Sequence, residues 1–314
     1  MSGTPRVPDF FIVGHEKCGT TALYRMLRSH PDVFMPDFKE PRYFAPEVRD
    51  NVPRDHQRAD TLDDYQALFA AAQPKQLVGE ASPQYLRFGA TAGRIAQMQP
   101  DARIIAILRE PASFLRSVHL QAVHAGREPQ RELAKALALE PLRREGKKLP
   151  RGFSSPAWVL YSDFVRYREQ LRSYEEQFSR DRMLILIYDD YRADNEATVG
   201  QVLRFLELDP DIAIEPVRTG PSRTTVRFPR LHPLSRKLRV ARHRPELAGP
   251  VSRAVLALSS RPLRVLWRRF AYETATPADE QLMQQLRRRF KPEVEALSEY
   301  LDRDLVSLWH YEEL

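Results

Sequence analysis

A glycine-bearing loop with one lysine and two threonines is the part of this sequence best suited to chemistry. The loop reads GHEKCGTT at residues 14–21 and lies between an apolar run and a helical pattern. A loop in that position points backbone N–H groups at an anion, and the positive end of the helix dipole favours a phosphate there. Lys17 adds a cation, and Thr20 and Thr21 add hydroxyl donors. The pattern predicts a phosphate-binding loop, with an ordinary Gly/Thr turn as the alternative.

The order of residues in this loop argues against a nucleoside triphosphate. Gly14 and Gly19 have the spacing of a nucleotide P-loop, but that motif continues Gly-Lys-Ser/Thr. Here Thr20 follows Gly19, and the lysine lies two positions before that glycine. A kinase that uses the loop with Mg²⁺ held by Asp189 is one alternative. We interpret Asp189 and Asp190 instead as a structural cap at the end of a strand.

The loop resembles that of the sulfotransferases that use 3′-phosphoadenosine 5′-phosphosulfate (PAPS). Those enzymes carry Lys-x-Gly-Thr-Thr after their first strand, as residues 17–21 do here. They also carry an arginine at the end of a later strand and a serine eight residues on, which Arg109 and Ser117 match. The segments KEPRYF at 39–44 and GEASPQYL at 79–86 resemble further segments of the Golgi-type and many bacterial members.

The resemblance implies in-line transfer of a sulfuryl group from PAPS to a hydroxyl or amine of an acceptor. Lys17 is then expected to neutralise the charge that develops on the leaving phosphate oxygen. Cys18, Gly19, Thr20 and Thr21 are expected to bind the 5′-phosphate through backbone amides and the two hydroxyls. We interpret Cys18 as a small loop residue and not a nucleophile, although Lys17 and the helix terminus could lower the pKa of its thiol.

Glu40 is the base that the resemblance implies, because members with this segment use the glutamate of Lys-Glu-Pro. Its neighbour Lys39 is expected to contact the sulfonate. The alternative is a solvated carboxylate paired with Lys39 or Arg42. The sequence departs from the family nearby, with Ala81 in place of a lysine and Ser82 in place of a threonine.

The donor's 3′-phosphate is assigned by the resemblance to Arg109 and Ser117, and a planar guanidinium suits that task. Because this second phosphate distinguishes PAPS from ATP, the pair governs donor choice. Ser222 and Arg223 are the nearest match to a late donor-binding loop. The implied co-substrate is PAPS, the product is 3′-phosphoadenosine 5′-phosphate (PAP), and no metal is expected.

The elements that must position these groups alternate between strands and helices. Short apolar runs predict buried parallel strands at 9–14, 76–80, 102–109 and 182–190. Helical spacing is found at 20–30, 91–99, 113–126, 161–178, 195–211 and 278–305. This alternation predicts an α/β fold with a P-loop-like central parallel sheet flanked by helices. We expect a single sulfotransferase domain over 7–314, with helical excursions at 127–156 and 226–273.

Basic residues are concentrated in one of these excursions. The chain has a net charge of +7, and residues 226–273 alone hold twelve basic and two acidic residues. Such a segment suits a solvated helical face, a groove for an anionic or lipid-linked glycan acceptor, or an amphipathic helix on an anionic membrane. A nucleic-acid partner has no motif behind it. The alternative outside the enzymes is a non-catalytic membrane- or glycan-binding module.

Composition bounds the class of protein. The 314 residues are 42% hydrophobic, which suits a globular fold, and the single cysteine excludes an internal disulfide. A lone cysteine favours a reducing compartment. Neither a secretory signal nor an apolar run of about 18 residues is visible. We expect a cytoplasmic protein with peripheral membrane contact through 226–273, and an acceptor that is a saccharide, a lipid or a small molecule.

Overall fold

The computed structural model describes residues 6–49, 59–151, 153, 155–212, 214–215, 217, 224–226, 272–274 and 279–314. Their strands are β1 (Phe10–Gly14), β2 (Val33–Phe34), β3 (Leu77–Ala81), β4 (Arg103–Leu108), β5 (Met183–Ile187), β6 (Thr224–Val226) and β7 (Tyr272–Thr274). The α-helices are α1 (Thr20–Arg28), α2 (Pro46–Arg49), α3 (Leu62–Ala67), α4 (Ala90–Met98), α5 (Pro111–His124), α6 (Leu133–Ala138), α7 (Glu140–Arg144), α8 (Tyr167–Glu175), α9 (Tyr188–Ala193), α10 (Asn195–Phe205), α11 (Glu280–Leu301) and α12 (Leu305–Leu308). Short 3-10 helices lie at Tyr85–Arg87, Pro156–Trp158, Tyr161–Val165 and Arg180–Arg182.

The central feature is a parallel sheet with the strand order β2-β3-β1-β4-β5. Every strand pair in it is parallel. All five residues of β1 are buried, as expected for a parallel strand covered on both faces. From β1 the chain continues to β2 and β3 on one side and then crosses to β4 and β5 on the other. Such a switch point is where α/β proteins bind ligands at the carboxyl ends of strands. The predicted α/β fold with a central parallel sheet is confirmed.

Helix α1 shows why the chain turns helical directly after the loop. Ala22, Leu23, Met26 and Leu27 recur at helical spacing, and all four are buried. The opposite face carries Arg25 and other polar residues that reach solvent. This amphipathic pattern packs the helix against the core and fixes its amino terminus beside the end of β1.

Some predicted boundaries were wrong. The apolar run at 182–190 is a strand only as far as Ile187, and Tyr188 begins α9. Asp189 and Asp190 lie in the first turn of that helix, where negative charge complements the helix dipole. The helix predicted at 161–178 is broken into a 3-10 helix and α8, and α10 ends at Phe205, before Pro210.

The chain divides into two compact units. The first comprises Met1–Phe114, Ser162–Gly220 and Gln284–Leu314, and contains the parallel sheet; the second comprises Leu115–Tyr161 and Pro221–Met283. Within the second, the buried Arg143 and Glu128 form an ion pair at 2.8 Å, and the hydroxyl of Tyr161 donates to the same carboxylate at 3.0 Å. Helices α6 and α7 lie in the predicted excursion 127–156, which is therefore helical. The single domain over 7–314 stays a prediction.

Several predictions fall outside the described residues. Ser222 and Arg223 lie there, as does nearly all of the basic segment 226–273. Thr224–Val226 pairs antiparallel with Tyr272–Thr274, so the two ends of that segment lie side by side. In the part of the chain that the structure describes, none of the helices combines the length and apolarity needed to span a bilayer.

Candidate active site

The glycine-bearing loop leaves β1 and enters α1 by a tight turn. The N–H of His15 donates to the carbonyl of Ile107 at 2.8 Å, which fixes the start of the loop to β4. Lys17 has φ 67° and Gly19 has φ 86°, so two of the next residues adopt left-handed conformations. The first turn of α1 contains no acidic side chain, and its cap is a glycine. The amino terminus of a helix with no acidic side chain suits an anion such as a phosphate.

Gly19 is required by both conformation and packing. Its φ of 86° is a backbone state that residues with a side chain rarely adopt. A Cβ at this position would lie 2.6 Å from Cε1 of Tyr191 on α9. The ring of Tyr191 therefore packs against Gly19 and leaves no room for a side chain there.

Arg109 joins the loop from the neighbouring strand. Its guanidinium donates to the carbonyl of Lys17 at 3.2 Å and lies 4.8 Å from the ring centre of Tyr188. The hydroxyl of Tyr167 donates to the carbonyl of Arg109 at 2.8 Å and fixes its backbone. The structure thus brings together the loop and the arginine that the sequence assigned to opposite ends of the donor.

The surroundings of Lys17 disfavour its positive charge. Burial lowers the pKa of Lys17, the adjacent charge of Arg109 lowers it further, and Glu16 opposes both effects. An anion bound beside Lys17 would oppose both effects. The local electrostatics therefore fit a phosphate or sulfate ester.

Ser117, the predicted partner of Arg109, lies on the second turn of α5 and is half-buried. It belongs to the second unit, whereas Arg109 belongs to the first. That both contact one phosphate stays a prediction.

The Lys39–Arg42 turn carries the predicted base. Glu40 and Arg42 have φ values of 65° and 55°, which are unusual for residues with side chains. The turn is held to the end of β3, because the N–H of Glu40 donates to the carbonyl of Ala81 at 3.1 Å and the N–H of Arg42 donates to Oγ of Ser82 at 3.1 Å. A strained turn held at two points presents its side chains in a fixed direction.

The Glu40 carboxylate is surrounded by donors. Lys39 contacts Oε1 at 2.9 Å, Arg42 forms an ion pair with Oε2, and Nε2 of Gln84 donates to Oε2 at 3.4 Å. Burial alone would raise its pKa, but the charges of Lys39 and Arg42 lower the pKa of Glu40 to about 2. Its side chain keeps 25% of its surface exposed. Both ion pairs that the sequence offered as the alternative are formed, so Glu40 is ionised at neutral pH.

The three sets of groups lie along one edge of the sheet. Ala81 is in register with Ile12, and Gly14 with Ala106, so the turn, the loop and Arg109 follow the carboxyl ends of adjacent strands β3, β1 and β4. Neighbouring strands are about 4.8 Å apart. This edge is where the topology predicts a ligand.

Two predictions about single residues have different outcomes. Cys18 is fully buried, and that burial raises the pKa of its thiol to about 12, so a lowered thiol pKa was wrong. Asp189 accepts from Nε1 of Trp309 at 2.9 Å, and Asp190 forms an ion pair with Arg303. Both aspartates are engaged by the C-terminal segment, in agreement with a structural role.

Sequence reasoning missed the residues that support the site. Tyr167, Tyr188 and Tyr191 hold Arg109 and Gly19, but they come from segments far along the chain, and nothing in the sequence indicates that they contact the loop. Arg87 was also missed; its guanidinium lies 3.3 Å from the Glu16 carboxylate inside the loop and 3.9 Å from the ring centre of Phe164. Arg87 lies two residues after Tyr85, and nothing in that stretch of sequence indicates either contact.

No group of three or more histidine, cysteine, aspartate or glutamate side chains suited to a metal ion occurs among the described residues.

Comparison with known proteins agrees with this geometry. Residues 8–211 match the sequence model of the sulfotransferase family. Carbohydrate sulfotransferase 15 of Mus musculus is 28% identical over 254 residues, which cover 65% of this chain and 44% of that protein. Heparan sulfate glucosamine 3-O-sulfotransferase 6 of Homo sapiens is 29% identical over 206 residues, covering 66% of this chain and 54% of that protein. The chain thus spans about half the length of these curated relatives.

A solved structure matches nearly the whole fold. The crystal structure of a sulfotransferase from Alicyclobacillus acidocaldarius has a TM-score of 0.67 and 24% identity, and the match covers 97% of this chain and 99% of that one. This likeness supports the fold, and the family match carries the classification. The glycine-bearing loop and Arg109 lie at the expected edge of the sheet. The chain belongs to the sulfotransferase family.

Proposed function

We propose that this protein transfers a sulfuryl group from PAPS to a hydroxyl or amine of an acceptor. The observation that carries the proposal is the contact between Arg109 and the carbonyl of Lys17, because it places the guanidinium beside the glycine-bearing loop and a helix whose first turn has no acidic side chain. Such a site fits a ligand with phosphate at both ends. Family membership supports the same chemistry.

The residues of the loop are proposed to bind the donor. PAPS carries the sulfuryl group on its 5′-phosphate, and this phosphate is the leaving group. Backbone amides of Cys18 to Thr21 and the Thr20 and Thr21 hydroxyls hold that phosphate, and Lys17 stabilises the negative charge that develops on its oxygen. Arg109 binds the 3′-phosphate together with Ser117, and Arg223 is proposed as a further donor contact.

Glu40 is proposed to accept the proton that the acceptor loses as its new bond to sulfur forms. A base with a pKa of about 2 is weak, so the ion pairs of Glu40 must loosen during turnover. Lys39 is the group to move, because contact with the sulfonate would draw its charge away from Glu40. That movement would raise the pKa of Glu40 and make it a better base.

The acceptor is proposed to be a saccharide. Two relatives are named for carbohydrate and heparan sulfate substrates, which supports this class. The basic segment 226–273 is proposed to contact the acceptor's anionic groups or an anionic membrane surface, and the protein to act in the cytoplasm.

Transfer of radiolabelled sulfate from PAPS to a panel of glycans, phenols and lipid-linked sugars tests the proposal. Lys17→Ala and Glu40→Gln should each lower turnover by about 100-fold or more. The matched controls Lys135→Ala and Glu145→Gln change exposed residues and should leave turnover unchanged. Magnesium-dependent transfer of phosphate from ATP, with no sulfate transfer to any acceptor, would replace the proposal with a kinase.

A further inference from the structure

Glu80 is a buried carboxyl group that the proposed reaction does not use. It lies on β3 with no exposed surface. Its Oε2 accepts hydrogen bonds from the hydroxyls of Tyr65 at 2.8 Å and Tyr85 at 3.1 Å. A buried ionisable group is costly unless it is hydrogen-bonded, so its presence beside the site needs a reason.

A partner of Glu80 also holds the backbone of residues 39–44. The hydroxyl oxygen of Tyr85 accepts from the N–H of Phe44 at 3.3 Å. A hydroxyl that donates its one proton to Glu80 must use its oxygen as an acceptor. The carboxylate therefore orients the hydroxyl of Tyr85 so that its oxygen faces the N–H of Phe44. Independently of Glu80, Oγ of Ser82 accepts from the N–H of Arg42 at 3.1 Å.

The segment held in this way is strained. Glu40 and Arg42 both have positive φ, and residues in such conformations persist only where the surrounding structure holds them. Arg42 and Phe44 lie two and four residues after Glu40, so their amide contacts help to fix the direction of its carboxylate.

We propose that Glu80 is a positioning residue for the acceptor side of the site, which acts through Tyr85 to hold the strained turn that presents Glu40. This inference rests on the proposed sulfuryl transfer for its effect on turnover. Its structural content, the restraint on the backbone amide of Phe44, does not.

Ionisation gives the network a dependence on pH. Burial raises the pKa of Glu80 to about 7, while hydrogen bonds from Ser82, Tyr65 and Tyr85 and the charge of Arg42 oppose that rise. The pKa values of the facing hydroxyls of Tyr65, Tyr85 and Tyr174 are raised well above 10, so these groups stay protonated. The ionised carboxylate of Glu80 accepts hydrogen bonds from the hydroxyls of Tyr65 and Tyr85. The protonated acid is itself a donor, so it competes with the N–H of Phe44 for the hydroxyl oxygen of Tyr85. The turn should therefore be held more firmly above pH 7 than below it.

Amide hydrogen exchange tests the restraint without any acceptor. Glu80→Ala should speed exchange at Phe44 by about tenfold, as expected for a lost hydrogen bond. Tyr85→Phe should have the same effect at Phe44. Tyr174→Phe is the matched control, because the hydroxyl of Tyr174 is buried without a hydrogen-bond partner among the described residues. It should leave exchange at Phe44 unchanged.

Turnover supplies the second readout. Glu80→Ala should lower kcat by about tenfold at saturating acceptor and leave the Kd for PAP within about twofold, because the phosphate loop is not part of the network. Glu80→Gln keeps an acceptor oxygen, so it should restore most of kcat and remove the change in activity near pH 7. A purely packing role would not produce this change in pH profile.

The outcomes separate the two proposals. Wild-type exchange rates at Phe44 in both Glu80→Ala and Tyr85→Phe would overturn the positioning role. Faster exchange in a protein that sulfates none of the acceptors would retain the positioning role and contradict the proposed function.

Discussion

Lys17 and Arg109 are the two side chains on which donor binding depends most. Each is placed by its own strand, and they meet where the guanidinium contacts the carbonyl of Lys17. Burial, and after it the charge of Arg109, lowers the pKa of Lys17 in the ligand-free site. An anionic phosphate bound beside Lys17 would therefore stabilise its charged form.

Arg109→Lys should reduce the affinity for PAP by about 10- to 100-fold, because a lysine keeps the charge but loses the planar, bidentate donor. Affinity for ADP, which lacks the 3′-phosphate, should change much less. Calorimetric titration of both nucleotides measures this, with the exposed Arg172→Lys on α8 as control. Equal losses for PAP and ADP would show that Arg109 does not bind the 3′-phosphate.

Cys18 should react slowly with thiol reagents. Its buried thiol has a pKa of about 12, so very little thiolate exists near neutral pH. Alkylation by iodoacetamide at pH 7.5 should be at least about 100-fold slower in the folded protein than in urea. The chain has one cysteine, so the rate needs no correction for other thiols. Rapid alkylation of the folded protein would contradict the observed burial.

Side-chain types and spacing allowed the sequence to predict the loop, Arg109 and Glu40 as candidates. They did not predict the low pKa of Glu40 or the high pKa of the Cys18 thiol, because both depend on burial and on neighbours that only the folded chain brings near. The role of Glu80 depends on Tyr65, which lies on a separate helix.

The junction of β1 and α1 is the element that creates the anion site. Its geometry requires the left-handed conformation of Gly19 and the close approach of Tyr191. The sequence predicted the strand and helix because their apolar spacings differ clearly. It could not separate β5 from α9, because the apolar run continues into a helix without a break.

Gly19→Ala should destabilise the fold by about 1–3 kcal/mol, since the left-handed backbone and the contact with Tyr191 are both unfavourable for a side chain. PAP binding should be lost with it. Gly93→Ala on α4 is the matched control, because its Cβ would meet only Oε1 of Gln177 at 3.9 Å. That change should be neutral or stabilise the protein by up to about 1 kcal/mol. Urea unfolding measures both, and similar stabilities for the two variants would contradict the account of the loop.

Long-range contacts tie the C-terminal segment to the edge of the sheet that carries the site. Trp309 and Arg303 hold the two aspartates at the start of α9, and the hydroxyl of Tyr311 donates to Glu110 at 2.6 Å, next to Arg109. The alternation of strands and helices predicted a parallel sheet. It did not predict the strand order or β2, because a two-residue strand has no periodicity and the order depends on tertiary packing.

His15 should make the stability of the whole molecule fall in acid. Burial lowers the pKa of His15 to about 3, the charge of Arg87 adds to this, and the hydrogen bond with Gln170 at 2.9 Å opposes it. The unfolded chain takes up a proton near pH 6.5 while the folded chain does not. The stabilisation is therefore full above about pH 6.5 and is lost as the pH falls toward about 3.

The measurement is urea unfolding of wild type and His15→Gln at pH 7.5 and 5.5. The free energy of unfolding of the wild type should fall by about 1 kcal/mol more than that of the variant between these pH values. The other seven histidines and Glu80 are common to both proteins and cancel in the comparison. An equal fall in both proteins would show that His15 does not remain neutral in the folded state.

Calorimetric titration of the wild-type protein with PAP, ADP and ATP tests the central claim most directly. The claim is that the loop at Lys17 and the guanidinium of Arg109 together bind an adenosine phosphorylated at both its 3′ and 5′ positions. PAP should bind without added metal and at least about tenfold more tightly than ADP, since the 3′-phosphate adds a charge-assisted contact. Equal affinities for PAP and ADP, or tight binding of ATP with Mg²⁺ alone, would contradict it.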